Sequence, residues 1–159
     1  MSKQTLKQKT NYTFDDLLEI MDILRAKDGC PWDREQTHAS IRKNLIEETY
    51  EAVEGIDEND SDILCEELGD VLLQVVFHAK IADDQKEFSI TDVLNSICTK
   101  LIYRHPHIFS DTRVNSSDEV LTNWNKLKNT EKGYKDTNQV LKGISKSLPA
   151  LMRAQKLID

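Results

Sequence analysis

The sequence has no apolar run long enough to cross a bilayer. Its longest, near residues 71–79, falls far short of the ~20 residues a spanning helix needs. Residues 1–10 are polar and lysine-rich, which excludes a secretory signal. Both absences point to a cytoplasmic protein with no membrane partner. Cysteine is sparse and odd in number. Cys30, Cys65 and Cys98 are far apart, with no zinc-ligand spacing, so reduced, buried thiols are expected rather than a disulfide framework. Positive charge is also in deficit. A net charge of −7 argues against a nucleic-acid-binding surface. It leaves a nucleotide substrate open, because bound cations can reverse a local field. No internal repeat is visible.

What remains is one domain's worth of chain, 159 residues with 38% hydrophobic and 31% charged side chains. Its periodicities are helical. Residues 1–12 read as a disordered tail. Thr13, with Asp16 three residues on, caps a helix whose apolar positions are Phe14, Leu17, Leu18, Met21 and Leu24, and Gly29 ends it. In the loop that follows, Trp32 is expected to plug the core. A second helix runs from about Thr37 or Ser40 to Gly55, with Ile41, Leu45, Ala52 and Ile56 in one stripe. A third covers about 61–81, with Leu64, Leu68, Val71, Val75 and Ala79 as its main stripe. Residues 71–77 are apolar nearly all round, which predicts burial on more than one side and so a homodimer through this helix. A fourth helix starts at Ser89 or Thr91, packs Val93, Leu94, Ile97, Cys98, Leu101 and Ile102 inward, and stops at Pro106. Ser116 or Ser117 starts a fifth, with Val120, Leu121, Trp124 and Leu127 on one face. The resulting organisation is a tail (1–12), an all-α antiparallel helical-hairpin bundle of about five helices (13–132), and a linker leading into a further helical segment (133–159). That last helix looks unfinished at Asp159, which suggests a truncated chain.

Two acidic clusters stand out, Glu47, Glu48 and Glu51 in the second helix and Glu67 and Asp70 in the third. Glu51 and Glu67 are equidistant from Asn59, and so are Glu48 and Asp70. If the helices fold back at the 56–61 turn, Glu51 lies level with Glu67 and Glu48 level with Asp70. Carboxylates at i, i+3 ordinarily mark a solvated helix face. Glu48 and Glu67 border the apolar stripes, however, where a charge needs a partner. Oxygen donors select a hard cation, Mg²⁺ or Mn²⁺, over zinc or copper. Such ions bridge phosphate oxygens and activate water. Lys100 and Arg104, one helical turn apart, read either as an ordinary cationic helix end or as phosphate clamps. A di-iron centre is disfavoured, because the one Glu-x-x-His spelling, Glu35 to His38, precedes the second helix. His105 and His107 are too few for zinc.

Several motifs in order, Gly29-Cys30-Pro31-Trp32-Asp33, Glu47-Glu48-Thr49-Tyr50-Glu51, Glu66-Glu67-Leu68-Gly69-Asp70, Arg104-His105-Pro106-His107 and 147–152, resemble the MazG family of nucleoside triphosphate pyrophosphohydrolases. The likeness runs from about residue 14 to the end, and is strongest to the N-terminal half of two-domain members. It implies an all-α, usually dimeric fold and Mg²⁺-dependent hydrolysis of an NTP or dNTP to the monophosphate and pyrophosphate. By position it implies Glu48, Glu51, Glu67 and Asp70 as metal ligands and Glu47 as a catalytic outer member that orients water. It also implies Lys100 and Arg104 as catalytic phosphate-binding cations and Trp124 as a contact to the base. The alternative is a non-catalytic structural or regulatory domain that supports a dimer or a second catalytic domain.

Overall fold

The structure, a computed structural model, describes residues 3–158. Among them are ten helices and no strand. They are α1 (Lys3–Lys7), α2 (Phe14–Arg25), α3 (Pro31–Glu35), α4 (Arg42–Asp57), α5 (Ser61–Asp84), α6 (Ile90–Arg104), α7 (Pro106–Phe109), α8 (Ser117–Glu131), α9 (Thr137–Lys142) and α10 (Ala150–Ile158). The five helices expected from periodicity are α2, α4, α5, α6 and α8. The chain divides into two compact units, Met1–Leu94 and Asn95–Asp159, with the division inside α6. The boundary read from the sequence at 132 falls within the second unit.

In the first unit, α2 starts as its sequence dictates. The Thr13 hydroxyl accepts from the Asp16 amide, and Asp16 accepts from the Thr13 amide at 2.8 Å, closing a capping box. Asp16 is buried and also accepts from the Lys9 ammonium at 2.6 Å. That bond helps to correct the expected tail. Residues from Lys3 onward carry α1, Leu6 is buried, and the Tyr12 hydroxyl donates to the Leu6 carbonyl. Met1 and Ser2, also assigned to the tail, lie outside the described residues. The core joins Met21, Ile41, Val76, Phe77 and Ile81, with Phe14, Leu17, Leu18 and Leu73 packed against it.

Helix α5 is the spine of this unit, packing most extensively on α4 and also on α2. Its buried residues are Gln74, Val76, Phe77, Ala79, Ile81 and Ala82, whereas Leu68, Leu72 and Val75 are exposed. The expected stripe therefore holds at Ala79, which is buried, and fails at Leu68 and Val75. A helix that is apolar all round carries little angular information about which side faces the core. In α4 the stripe holds at Ile41 and Ala52, which are buried, and fails at Ile56, which is exposed. Trp32 is not a plug, because it is 59% exposed and meets Phe77 only by an edge contact at 6.5 Å. Arg25 ties that loop down. Its guanidinium donates to the Asp33 carbonyl and to Asp84, and lies over the Phe77 ring.

In α6, Leu94, Ile97, Cys98, Leu101 and Ile102 are exposed rather than packed inward. The thiols follow suit, with Cys65 and Cys98 exposed and Cys30 half-buried. Within the second unit, Ser116 caps α8 by accepting from the Glu119 amide, as its sequence predicts. No helix among the described residues is long and apolar enough to cross a membrane.

Candidate metal centre

Helices α4 and α5 form a tight antiparallel hairpin. Asn59 turns the chain in the left-handed region (φ 55°), and Asp60 caps α5 by accepting from the amides of Asp62 and Ile63. Gly55 sets the closeness of the two helices, because a Cβ there would lie 2.8 Å from the Leu64 nitrogen. The fold-back brings carboxylates of both helices together. Glu48, Glu67 and Asp70 each offer an oxygen, and these oxygens lie within 4.8 Å of one another. Glu51 is not among the three, but it is close enough to act on both neighbours. Of the charges that act on Glu48, Asp70 weighs most, and of those on Glu67, Glu51 does.

Burial and like charge act together on these carboxylates. Burial first, then the charges of Asp70, Glu51 and Glu47, push the Glu48 carboxyl above the ordinary range. Burial, then Glu51, Asp70, Glu66 and Glu48, do the same to Glu67. The Glu67 Oε2 atom is buried and accepts no hydrogen bond. A buried acceptor with no donor is costly, and like charges this close repel. A hard divalent ion answers both, so an all-oxygen donor set of this kind fits the implied metal. Glu47 stands apart from this arrangement. It is exposed and paired with Lys43 at 2.5 Å, one turn back on the same helix.

One turn along α5 from Asp70, polar side chains continue on the buried side. Gln74 is 6% exposed, and its Oε1 accepts no hydrogen bond. At the next turn His78 faces His38 with Nδ1 to Nδ1 at 2.8 Å and the rings almost parallel. One of the two must present a bare Nδ1. Burial, and then His38, hold the His78 imidazole below its usual range. The His78 Nε2 is also buried without a hydrogen-bond partner. Gln74 escaped notice because it sits inside an apolar run. Its signal was its place one turn after Asp70.

The predicted phosphate-binding residues belong to the second unit. Lys100 is half-buried and lines a groove of about 520 Å³ with Asn95, Ser96, Thr99, Tyr103 and Glu131. Arg104 is 7% exposed and is not a free clamp. Its Nε and Nη2 donate to one oxygen of Glu131 at 2.9 and 2.8 Å. Trp124 is half-buried, with the Arg104 guanidinium 4.9 Å and the Lys128 ammonium 5.0 Å from its ring centre. Sequence reasoning missed Glu131 and Lys128. Nothing in the local pattern pairs residue 131 with residue 104.

Residues 36–109 match the MazG nucleotide pyrophosphohydrolase domain. Among curated proteins, the chain is 47% identical over 144 residues to the nucleoside triphosphate pyrophosphohydrolase of Escherichia coli strain K12, covering 90% of this chain and 55% of that protein. It is 46% identical over 144 residues to the nucleoside triphosphate pyrophosphohydrolase/pyrophosphatase MazG of Thermotoga maritima, covering 91% and 54%. It is 46% identical over 146 residues to the uncharacterized protein YabN of Bacillus subtilis, covering 92% and 30%. The chain thus spans between about a third and about half of the length of these relatives. Among solved structures, the mazG-related protein from Thermotoga maritima superposes with a TM-score of 0.61 at 26% identity, covering 72% of this chain and 97% of that one.

Proposed function

We propose that this chain, which belongs to the MazG family, is a Mg²⁺-dependent nucleoside triphosphate pyrophosphohydrolase that yields a nucleoside monophosphate and pyrophosphate. The observation that carries this reading is the convergence of Glu48, Glu67 and Asp70 oxygens within 4.8 Å, with a buried Glu67 oxygen that lacks a donor. Relatives named for the activity support it. In this reading Glu48, Glu51, Glu67 and Asp70 hold Mg²⁺, for which Mn²⁺ can substitute. When bound, the ion polarises phosphate oxygens and lowers the pKa of water.

The chain's own residues do the rest. Burial and like charges raise the Glu48 and Glu67 carboxyls above their ordinary range, so protons and a cation compete for the same oxygens. The two acids therefore couple metal loading to proton release. Glu47, on the exposed side of α4, is free to leave Lys43 and orient the attacking water, because an exposed i, i+4 pair is worth only a few tenths of a kcal/mol. Lys100 and Arg104 neutralise the phosphates as charge builds on the leaving pyrophosphate, and Trp124 offers a ring face to the base. The reaction consumes one water, breaks the α–β phosphoanhydride bond, and leaves the bridging oxygen on pyrophosphate. A homodimer covering the exposed Leu68, Leu72 and Val75 face of α5 belongs to the same proposal.

The second reading, a regulatory or structural domain, is favoured by one observation, the engagement of Arg104 by Glu131. Pyrophosphate release by the purified chain, across a panel of nucleoside and deoxynucleoside triphosphates, separates the two. The enzyme reading expects release that depends on Mg²⁺ and stops with a chelator. No release from any nucleotide, with the metal bound, would rule out the enzyme reading.

A further inference from the structure

In the second unit a buried guanidinium is engaged by a partly exposed carboxylate of the same chain. Two cations flank Trp124, and two further lysines act on one of them. Arg104 and Lys128 lie against its ring. Lys132 and Lys156 are near enough to act on Lys128, which burial first and these like charges next push below its ordinary value. Glu131 is the carboxylate paired with this cluster, and a single oxygen of it takes both the Nε and the Nη2 of Arg104. A guanidinium holds a phosphate oxygen in the same way.

The placing of Glu131 is electrostatically poor for a permanent brace. It is the last residue of α8, at the negative end of the helix dipole, where an anion is disfavoured and lysines are favoured. Its side chain is 34% exposed while that of Arg104 is 7% exposed, so the acid can swing out and the base cannot. Gly133, two residues on and in the left-handed region at φ 65°, ends the helix just beyond Glu131. Glu131 also lines the groove that holds Lys100, and so stands between that groove and the guanidinium.

Resting on the nucleotide reading above, we propose that Glu131 is a phosphate surrogate: its carboxylate occupies Arg104 until a substrate phosphate displaces it, which sets the threshold for triphosphate binding. Apparent affinity is then the intrinsic affinity reduced by the fraction of molecules with Arg104 released.

The test is Glu131→Gln in the whole chain, which keeps size and a hydrogen-bonding oxygen but removes the charge. Titration calorimetry with inorganic pyrophosphate, without metal, reads the gate independently of turnover. The expected result is binding about 5- to 10-fold tighter than wild type, a fold-change within the usual range of a coupling between sites. KM for a triphosphate should fall by a similar factor, with kcat changed less than about 2-fold. In the Arg104→Gln background the Glu131→Gln change should have no effect on pyrophosphate affinity. Glu131→Asp, with a shorter reach, should fall between wild type and Gln, and circular dichroism reports the fold of each variant. If Glu131→Gln binds pyrophosphate no tighter than wild type, or more weakly, Glu131 is a brace and the proposal is overturned. Absence of turnover alongside a tightened pyrophosphate isotherm would count against the nucleotide reading and not against the gate.

Discussion

Two groups of carboxylates in the first unit have opposite fates. At the start of α2, Asp16 is buried but fully answered by the Lys9 ammonium and the amide and hydroxyl of Thr13, which hold its pKa down at about 2. In the α4–α5 hairpin, Glu48 and Glu67 are less buried, yet burial and like charges push them up. The first is a structural acid neutralised by its own chain. The second is an acidic cluster in which Glu48, Glu67 and Asp70 have no protein cation bonded to them among the described residues. Folding normally removes such repulsion, and a cluster that keeps it is suited to a charge from outside.

Removing one cage acid should have the largest effect. Glu48→Ala or Asp70→Ala should lower pyrophosphate release by about 10²- to 10³-fold, in the range for losing one preorganised electrostatic contact. It should also abolish the thermal stabilisation by Mg²⁺, which at 100 times Kd amounts to about 2.7 kcal/mol in an intact site. Differential scanning calorimetry with and without Mg²⁺ checks the second part. Wild-type turnover or an unchanged metal shift in either variant would remove that residue from the ligand set.

Asp16→Ala, by contrast, should leave Mg²⁺ binding intact and cost about 1–2 kcal/mol through the lost cap, measured by urea unfolding. The two regions should also respond oppositely to pH. The stabilisation from Asp16 is present above its ordinary value of 3.8 and is lost as pH falls through about 2. Glu67, raised in the folded state, destabilises the metal-free protein above its folded pKa, and that penalty is relieved as pH falls towards 4.5. The wild-type minus Glu67→Gln stability difference should therefore rise as pH falls into that window, with the His78 contribution cancelling between the two proteins. A flat difference would mean that the cage is not repulsive.

Sequence carried the hairpin well because both of its determinants are local. The reflection about Asn59 needs only two helices and a turn, and Thr13 with Asp16 spells its own cap. It carried the α5 face poorly, since Leu68, Leu72 and Val75 are as apolar as the residues that are buried. Trp32 was misjudged because ring size says nothing of where a loop sits once Arg25 has pinned it. The Arg104–Glu131 pair lies beyond helical periodicity altogether. Its partners are 27 residues apart, on different helices, and only tertiary structure joins them.

Gly55 gives the hairpin the role of a calliper. One turn from Glu51, it lets the two backbones approach until the Leu64 nitrogen stands where a methyl group would go. An ion shared by both helices would have its oxygen-to-metal bonds limited by this jaw opening. Mg²⁺ demands bonds of about 2.0–2.1 Å, and Ca²⁺ accepts about 2.3–2.6 Å. A wedge of one methyl group, Gly55→Ala, would shift the preference from the smaller ion towards the larger, read as a change in the Mg²⁺/Ca²⁺ competition ratio. On that expectation, a residue that offers no ligand atom would tune the choice of ion.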